Sequence, residues 1–240
     1  MKYQKLNGGV VKRTEKRILG LFIDGTGLDR ATRRLNRKVD LTRLVRGVTS
    51  GIKPIIARYY TLIPYEDDSR QRAFLDAVQR AGLTVIVKRL PPKGISRQVS
   101  VDIEMAADIT AFAMGRNQFR DLSEYRPEDF SEPGSSLPSP IPTMGIPRSN
   151  NGVLNHPQIE THLDRVEKET APITFGENDK VQRIINVVCP SRDLAYPISL
   201  AKELGVDTAT ADFGQFTGGD ILKSAAKWID LSDSETIWRE

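Results

Sequence analysis

The chain has 240 residues, of which 39% are hydrophobic, and a formal net charge of +4. This length and composition allow one sizeable hydrophobic core and argue against disorder throughout. The sequence has no apolar run of the roughly 18 to 20 residues that a membrane-spanning helix needs, and its N-terminus lacks the apolar stretch of a signal peptide, so a cytoplasmic location is expected. The single cysteine, Cys189, excludes an intrachain disulfide and a cysteine-based zinc site, and its apolar surroundings predict a buried thiol.

Five short apolar runs along the chain are rich in β-branched or aromatic residues, a composition typical of buried strands. They cover residues 18–23, 55–61, 83–88, 184–189 and 206–211. Helical patterns alternate with them, at residues 35–48, 69–81, 102–114, 196–204 and 219–228. This alternation predicts an α/β fold in which a mostly parallel, five-stranded sheet is covered by helices on both faces.

Residues 116–180 interrupt the alternation, because they are rich in Pro, Ser, Gly and Asn and contain one short helical pattern, at 159–169. A stretch of this length without strands is typical of an insertion or flap rather than of a core. His156 and His162 lie in it and are interpreted as surface residues rather than metal ligands. The predicted organisation is a basic N-terminal extension, one domain in two segments around the insertion, and a C-terminal tail: residues 1–16, 17–115 with 181–231, 116–180, and 232–240.

Aspartates follow two of the predicted strands. Asp24 ends the first strand, in LGLFIDGTGL, and Asp193 follows the fourth, in NVVCPSRD. In open α/β sheets the carboxyl ends of the strands form the ligand crevice. The sequence therefore predicts that Asp24 and Asp193 converge at this edge of the sheet.

Two more aspartates lie in the segment SVDIEMAADITAFAM, which predicts a helix. Asp108 has almost only apolar neighbours there, and a buried carboxylate costs several kcal/mol unless a cation or hydrogen-bond donors compensate it. Asp102 lies six residues earlier, about 240° around an ideal helix, so the two share a face only if Asp102 caps the helix or precedes it. A simple helix cap is the alternative role for Asp102.

Four carboxylates in one crevice repel one another, which raises their pKa values unless a divalent cation neutralises them. A site of oxygen ligands alone suits Mg²⁺ or Mn²⁺ better than zinc. With one or two such ions, the site would activate water and stabilise the charge of a phosphodiester displacement. The predicted reaction class is hydrolysis of a nucleic-acid backbone, with the acids Asp24, Asp102, Asp108 and Asp193 as metal ligands and catalytic groups.

Cations are concentrated just after the first strand. A solvated helix face is one interpretation of this charge, and contact with nucleic-acid phosphates is the other. The acidic site nearby favours the second interpretation, in which the phosphate contacts come from Arg30, Arg33, Arg34, Arg37 and Lys38.

Four segments of the chain resemble, in the same order, the motifs of the NYN domain, the LabA-like branch of the PIN-like nuclease superfamily. FIDGTGL is similar to the family's FIDGxNL, VDIEMAADI to KxVDVxLAxD, CPSRDLAYPISLAKELG to SGDSDFxPLLxxLxxxG, and AAKWIDLS to AADxFIDL. The resemblance covers about residues 17–115 and 181–231. It implies a PIN-like, Rossmann-type fold and a Mg²⁺- or Mn²⁺-dependent ribonuclease. Its acidic cluster would be Asp24, Asp102, Asp108 and Asp193, with Ser191 as a structural hydrogen-bonding residue.

The chain departs from the NYN motifs at three positions. Gly27 replaces an asparagine, Ala195 replaces the second aspartate of SGDSDF, and Arg192 replaces a glycine. The loss of an amide and a carboxylate removes ligands or groups that orient them. Two hypotheses therefore stand: a metal-dependent ribonuclease, or a catalytically weakened NYN protein that binds RNA or regulates. RNA is the expected partner in both, and a homodimer is compatible with either.

FIDGTG is also similar to the DxDGT signature of the haloacid dehalogenase-like phosphatases, whose nucleophile is the first aspartate of the motif. Phe22 occupies that position in this chain. Covalent phosphoryl transfer by that route is excluded, because the nucleophile is missing.

Overall fold

A computed structural model describes residues 5–6, 9–10, 15–66, 69–119, 124–126, 180–214, 218–232 and 234–239. Within these residues the strands are β1 (Lys5–Leu6), β2 (Gly9–Val10), β3 (Glu15–Asp24), β4 (Ile56–Ile63), β5 (Thr84–Arg89), β6 (Lys180–Val188), β7 (Asp207–Asp212) and β8 (Lys227–Asp230). The α-helices are α1 (Gly25–Leu35), α2 (Leu41–Thr49), α3 (Ser69–Arg80), α4 (Asp102–Ala113), α5 (Ala195–Glu203) and α6 (Gly219–Ser224). Short 3-10 turns cover Arg192–Leu194 and Glu235–Ile237.

Strands β3 to β8 form one parallel sheet in the order β5-β4-β3-β6-β7-β8, and β1 and β2 form a separate antiparallel pair. The chain moves outward from β3 to β5, returns to the other side of β3 with β6, and moves outward again. The strand order therefore reverses between β3 and β6. In a doubly wound sheet, the ligand crevice opens at the carboxyl edge of this switch point.

Helices cover both faces of the sheet, and the side chains of β3 alternate between them. Leu21 and Ile23 pack with side chains of α1, α2 and α3, whereas Ile18 and Phe22 pack with side chains of α4 and α5. This alternation follows from the two-residue period of a strand. The predicted α/β fold, with a parallel sheet between two helical layers, is confirmed.

Helix α1 was not among the elements predicted from the sequence. It begins at Gly25, and the carboxylate of Asp24 caps it by accepting hydrogen bonds from backbone N–H groups of the first turn. It ends before Asn36, which has a left-handed conformation with a φ of 51°. The sequence does not predict this helix because its first turn contains two glycines, and glycine disfavours helix formation. The helix predicted at 35–48 begins later than expected, at Leu41.

The sheet has six strands rather than the predicted five. The additional strand, β8, occupies the end of the helix predicted at 219–228, because α6 already ends at Ser224. With four residues, β8 is too short to show the alternation that identifies a strand in a sequence. Its hydrogen bonds to β7 define it.

Most of the predicted insertion lies outside the described residues, including the helical pattern at 159–169, His156 and His162. Much of the predicted N-terminal extension lies outside them as well. The domain boundaries therefore remain a prediction. In the part of the chain that is described, every helix is too short or too polar to cross a membrane.

Candidate functional site

Asp24 lies at the carboxyl end of β3, beside the switch point, and only 2% of its surface is exposed. Its Oδ1 accepts three hydrogen bonds: from the backbone N–H of Thr26 at 3.0 Å, from the Thr26 hydroxyl at 2.6 Å, and from the backbone N–H of Gly27 at 2.9 Å. No hydrogen bond from the described residues reaches Oδ2. The first turn of α1 thus orients the carboxylate and leaves one of its oxygens available.

Burial raises the pKa of Asp24, and the negative charge of Asp102 raises it further. Hydrogen bonds from Thr26 and Gly27 act in the opposite direction but do not cancel the shift. The two acids are therefore close enough to repel each other, although 78 positions separate them in the sequence (102 − 24). This electrostatic coupling marks the crevice as a place where a cation would be stabilised.

Asp102 is the first residue of α4, and two serines hold its side chain. Ser191 donates its hydroxyl to Oδ1 at 2.8 Å, and Ser100 donates its hydroxyl to Oδ2. The helix N-cap is Val101, so the alternative role of Asp102 as a simple helix cap is wrong. Its charge still lies at the N-terminus of α4, where the helix dipole favours an anion. The bond from Ser191 also ties the turn after β6 to the start of α4.

Asp193 lies in that turn, two residues beyond Ser191, and its side chain is exposed. The turn thus places Asp193 at the same edge of the sheet as Asp24, but no group of three acidic side chains that could hold a metal ion forms among the described residues. Its neighbour Arg192 forms an ion pair with Asp220 at 2.7 Å, but both side chains are largely exposed. An ion pair of this kind contributes little to stability.

Asp108 has a different environment from the one expected for a metal ligand. Its Oδ2 accepts from the guanidinium of Arg58 at 2.7 Å and from the hydroxyl of Tyr60 at 2.6 Å. The side chains of Asp108 and Arg58 are only 14% and 6% exposed. Six residues of helix separate Asp108 from Asp102, which corresponds to about 9 Å along the axis and about 240° around it. The expectation of a compensated buried acid is met, but these contacts give Asp108 an arginine partner and revise its predicted role in the metal cluster.

A further buried acid, Asp212, was missed in the sequence. It ends β7 and is 6% exposed. Burial raises the pKa of the Cys189 thiol well above its usual range, and the nearby carboxylates of Asp212 and Asp24 add to the increase. Cys189 is itself 4% exposed, as predicted. The signal for Asp212 was present, because TATAD ends a predicted strand with an aspartate just as LFID does.

Gly27 allows α1 to approach β6 closely. A Cβ atom at this position would lie 2.2 Å from the backbone carbonyl oxygen of Cys189 and 2.9 Å from Oδ2 of Asp24. The asparagine of the NYN motif would therefore require the helix or the strand to shift. The packing around Gly27 therefore leaves no space for the side chain of the motif's asparagine.

The residues of the crevice are chemically suited to Mg²⁺ or Mn²⁺. The donors are carboxylate oxygens, which both ions prefer. Burial and then the charge of Asp102 raise the pKa of Asp24, and a bound cation would favour its ionised form. Among the described residues, no three His, Cys, Asp or Glu side chains are grouped closely enough to hold a metal ion. The coupled pair of Asp24 and Asp102 is therefore the centre of the candidate site.

The strand order and the paired acids at its switch point define a doubly wound α/β protein with an acidic crevice. The NYN domain family model matches residues 18–122. The resemblance to the NYN domain is thus confirmed for residues 18–122, and it connects this part of the chain to the PIN-like nuclease superfamily, whereas the similar motifs at 181–231 lie outside the match. The matched residues include β3, the basic helix α1 and the acids Asp24, Asp102 and Asp108.

The fold is also similar to the crystal structure of a protein of unknown function, VPA0982 from Vibrio parahaemolyticus. The similarity covers 95% of this chain and 100% of that chain, with a TM-score of 0.59 and 9% sequence identity. At this identity the likeness concerns the fold alone. No curated protein is significantly similar to the chain.

Proposed function

We propose that the protein is a ribonuclease that hydrolyses RNA phosphodiester bonds with Mg²⁺ or Mn²⁺ in the crevice. The observation that carries the proposal is the coupling of Asp24 and Asp102 at the switch point of the sheet. Burial and the charge of Asp102 raise the pKa of Asp24, and no basic side chain among the described hydrogen bonds and ion pairs neutralises Asp24. A nuclease superfamily connection through the NYN match supports the same conclusion.

In this proposal Asp24 and Asp102 would hold the metal ion, with water completing its coordination, and Asp193 lies in the turn after β6 at the same edge of the sheet. A bound divalent ion supplies an activated water and stabilises the charge that develops on the phosphate. Thr26 orients Asp24, while Ser100 and Ser191 orient Asp102. Hydroxyl groups that fix a ligand in this way typically change metal affinity or activity by 10- to 100-fold when they are removed, on the order found for other metal sites.

The RNA backbone would be held by helix α1 and the turn that follows it. α1 begins directly after Asp24, and its basic side chains are exposed. An RNA strand bound along this helix would pass the crevice at its N-terminal end. The side chains proposed to contact phosphates are Arg30, Arg33, Arg34, Arg37 and Lys38.

A second function is an NYN-type RNA-binding or regulatory protein without cleavage activity. Ala195 favours it, because it is the first residue of α5 and provides no carboxylate at the position where the NYN motif has one. Gly27 favours it as well, because its close packing leaves no room for the amide of the motif.

Incubation of the purified protein with labelled single-stranded RNA separates these functions. A ribonuclease should cleave the RNA with Mn²⁺ or Mg²⁺ and stop when EDTA is added. Binding without cleavage in every divalent metal would disprove the enzymatic proposal and support the second function. Cleavage that persists in EDTA would point to a contaminating metal-independent ribonuclease.

The basic segment predicts a specific salt dependence. Replacing Arg33, Arg34 and Arg37 together with Ala should weaken RNA binding about tenfold or more near physiological salt. The slope of log K against log salt should become shallower by about two, because each of the three phosphate contacts on a single strand contributes about 0.7. Filter binding at several salt concentrations measures both effects.

A control with the same loss of charge is Arg46→Ala, Arg80→Ala and Lys202→Ala, because these exposed side chains lie on α2, α3 and α5 rather than in the basic segment. It should retain the wild-type slope. Equal slopes for the two triple variants would remove the basic segment from the RNA site. The melting temperature of each variant has to be compared, because Arg37 stacks on the ring of Trp238 at 4.2 Å.

A further inference from the structure

A cavity of about 580 Å³ lies on the opposite face of the sheet from α4, between α1, the start of α2, α3 and β4. Cavities of roughly 300–1,000 Å³ are typical of sites for small organic ligands. The cavity is not part of the acidic crevice, because its walls include neither Asp24 nor Asp102. It is therefore a separate candidate binding site.

Two aromatic rings form one wall of this cavity. Phe74 and Tyr59 meet edge to face, with ring centroids 6.1 Å apart and an angle of 67° between the planes. Phe74 is 42% exposed, so its ring is available to a planar group. Aromatic rings of this kind provide a surface on which nucleobases stack.

Tyr59 also brings a polar group to the cavity. Its ring packs against the backbone of Gly25, where a Cβ atom would lie only 2.3 Å from the ring. Tyr59 is 2% exposed and lines the cavity beside Phe74. A tyrosine hydroxyl can donate or accept a hydrogen bond, so this side chain offers a ligand both an aromatic ring and a polar group.

The rim of the cavity is positively charged. It carries four basic side chains and two carboxylates. Asp29 is paired with Arg33 at 3.0 Å, and Asp40 accepts a hydrogen bond from the backbone of α2 at 2.9 Å. The charges leave an excess of two cations (4 − 2), which favours an anionic ligand. The four basic residues are Arg33, Arg37, Lys38 and Arg239.

We propose that this cavity binds a nucleotide unit, with the base against Phe74 and Tyr59 and the phosphate at the basic rim. The aromatic wall matches the base of one nucleotide, the Tyr59 hydroxyl can bond its ribose or base edge, and the positive rim matches its phosphate. The ligand is either a free nucleoside monophosphate or a nucleotide of a bound RNA strand. The proposal does not depend on catalysis in the crevice, because binding can be measured without cleavage.

Isothermal titration of the full chain with AMP, GMP, CMP and UMP, in EDTA, tests the proposal. At least one of these monophosphates should bind saturably. Its nucleoside and inorganic phosphate should each bind at least about tenfold more weakly, because each lacks one half of the interaction. Phe74→Ala and Arg33→Ala should each lower the affinity about five- to tenfold. If Phe74→Ala fails to fold by circular dichroism, Phe74→Leu retains the apolar packing but removes the aromatic face.

The matched control is Arg46→Ala, which removes an exposed arginine outside the cavity and should bind like the wild type. No saturable binding of any monophosphate, phosphate binding as tight as the monophosphate, or an equal loss in Arg46→Ala would each overturn the proposal. A short RNA that displaces the monophosphate identifies the RNA strand as the source of the nucleotide, and a short RNA that does not displace it identifies the free nucleotide.

Discussion

Replacing Asp108 with asparagine should lower the free energy of unfolding by about 3 kcal/mol or more. The carboxylate of Asp108 is paired with Arg58 at 2.7 Å, and both side chains are mostly buried. Asparagine would keep a hydrogen-bond partner for Tyr60 but would remove the negative charge that pairs with the buried guanidinium of Arg58. Chemical denaturation in metal-free buffer, monitored by circular dichroism, measures the loss.

A double variant tests the cause of this loss. Asp108→Asn combined with Arg58→Met removes both charges, so it should recover a substantial part of the stability lost in the single variant. At a temperature where Asp108→Asn remains folded, its RNA cleavage should stay close to that of the wild type. If Asp108→Asn had wild-type stability but much weaker RNA cleavage, the result would instead support Asp108 as a metal ligand.

Asp24→Asn should reduce metal-dependent RNA cleavage by at least about a hundredfold. Asp24 is the buried acid at the switch point, and its free Oδ2 faces no hydrogen-bond donor among the described residues. An amide keeps the hydrogen bonds from Thr26 and Gly27 but loses the charge that would hold the cation. Initial cleavage rates at several Mn²⁺ concentrations measure the effect. The control is Asp207→Asn, which should cleave normally because Asp207 is the first residue of β7 and therefore lies at the edge of the sheet away from the crevice.

Asp24→Asn should also be more stable than the wild type in metal-free buffer at neutral pH. A stable variant with low activity would show that the loss of activity does not result from unfolding. The pKa of Asp24 is raised in the folded protein by burial and then by Asp102, from an ordinary value of 3.8. Stability associated with this group is therefore present at low pH and is lost as the pH rises through the raised pKa. The gain in melting temperature should be largest near pH 7 and vanish below about pH 4. A gain that is independent of pH would show that charge is not its cause.

Part of the candidate site can be predicted from the sequence alone. Asp24 ends an apolar run, and parallel strands bring their carboxyl ends to one edge, so its position in the crevice follows from local pattern alone. For Asp108 the pattern showed that a buried carboxylate needs compensation, but it did not identify the compensating group. That group is Arg58, which lies 50 positions away on a neighbouring strand. Sequence distance carries no information about such a contact.

By itself, the sequence determined the α/β class, the five longer strands, the burial of Cys189 and the resemblance to the NYN domain. These features depend on local composition, on hydrophobic period and on short motifs. Only the tertiary structure decided the strand order, the short strand β8, the coupling of Asp24 to Asp102 and the cavity beside Tyr59. Each of these depends on which distant segments lie together. The physical reason is that charge repulsion, ion pairing and cavity shape act over a few ångströms in space, whatever the separation along the chain.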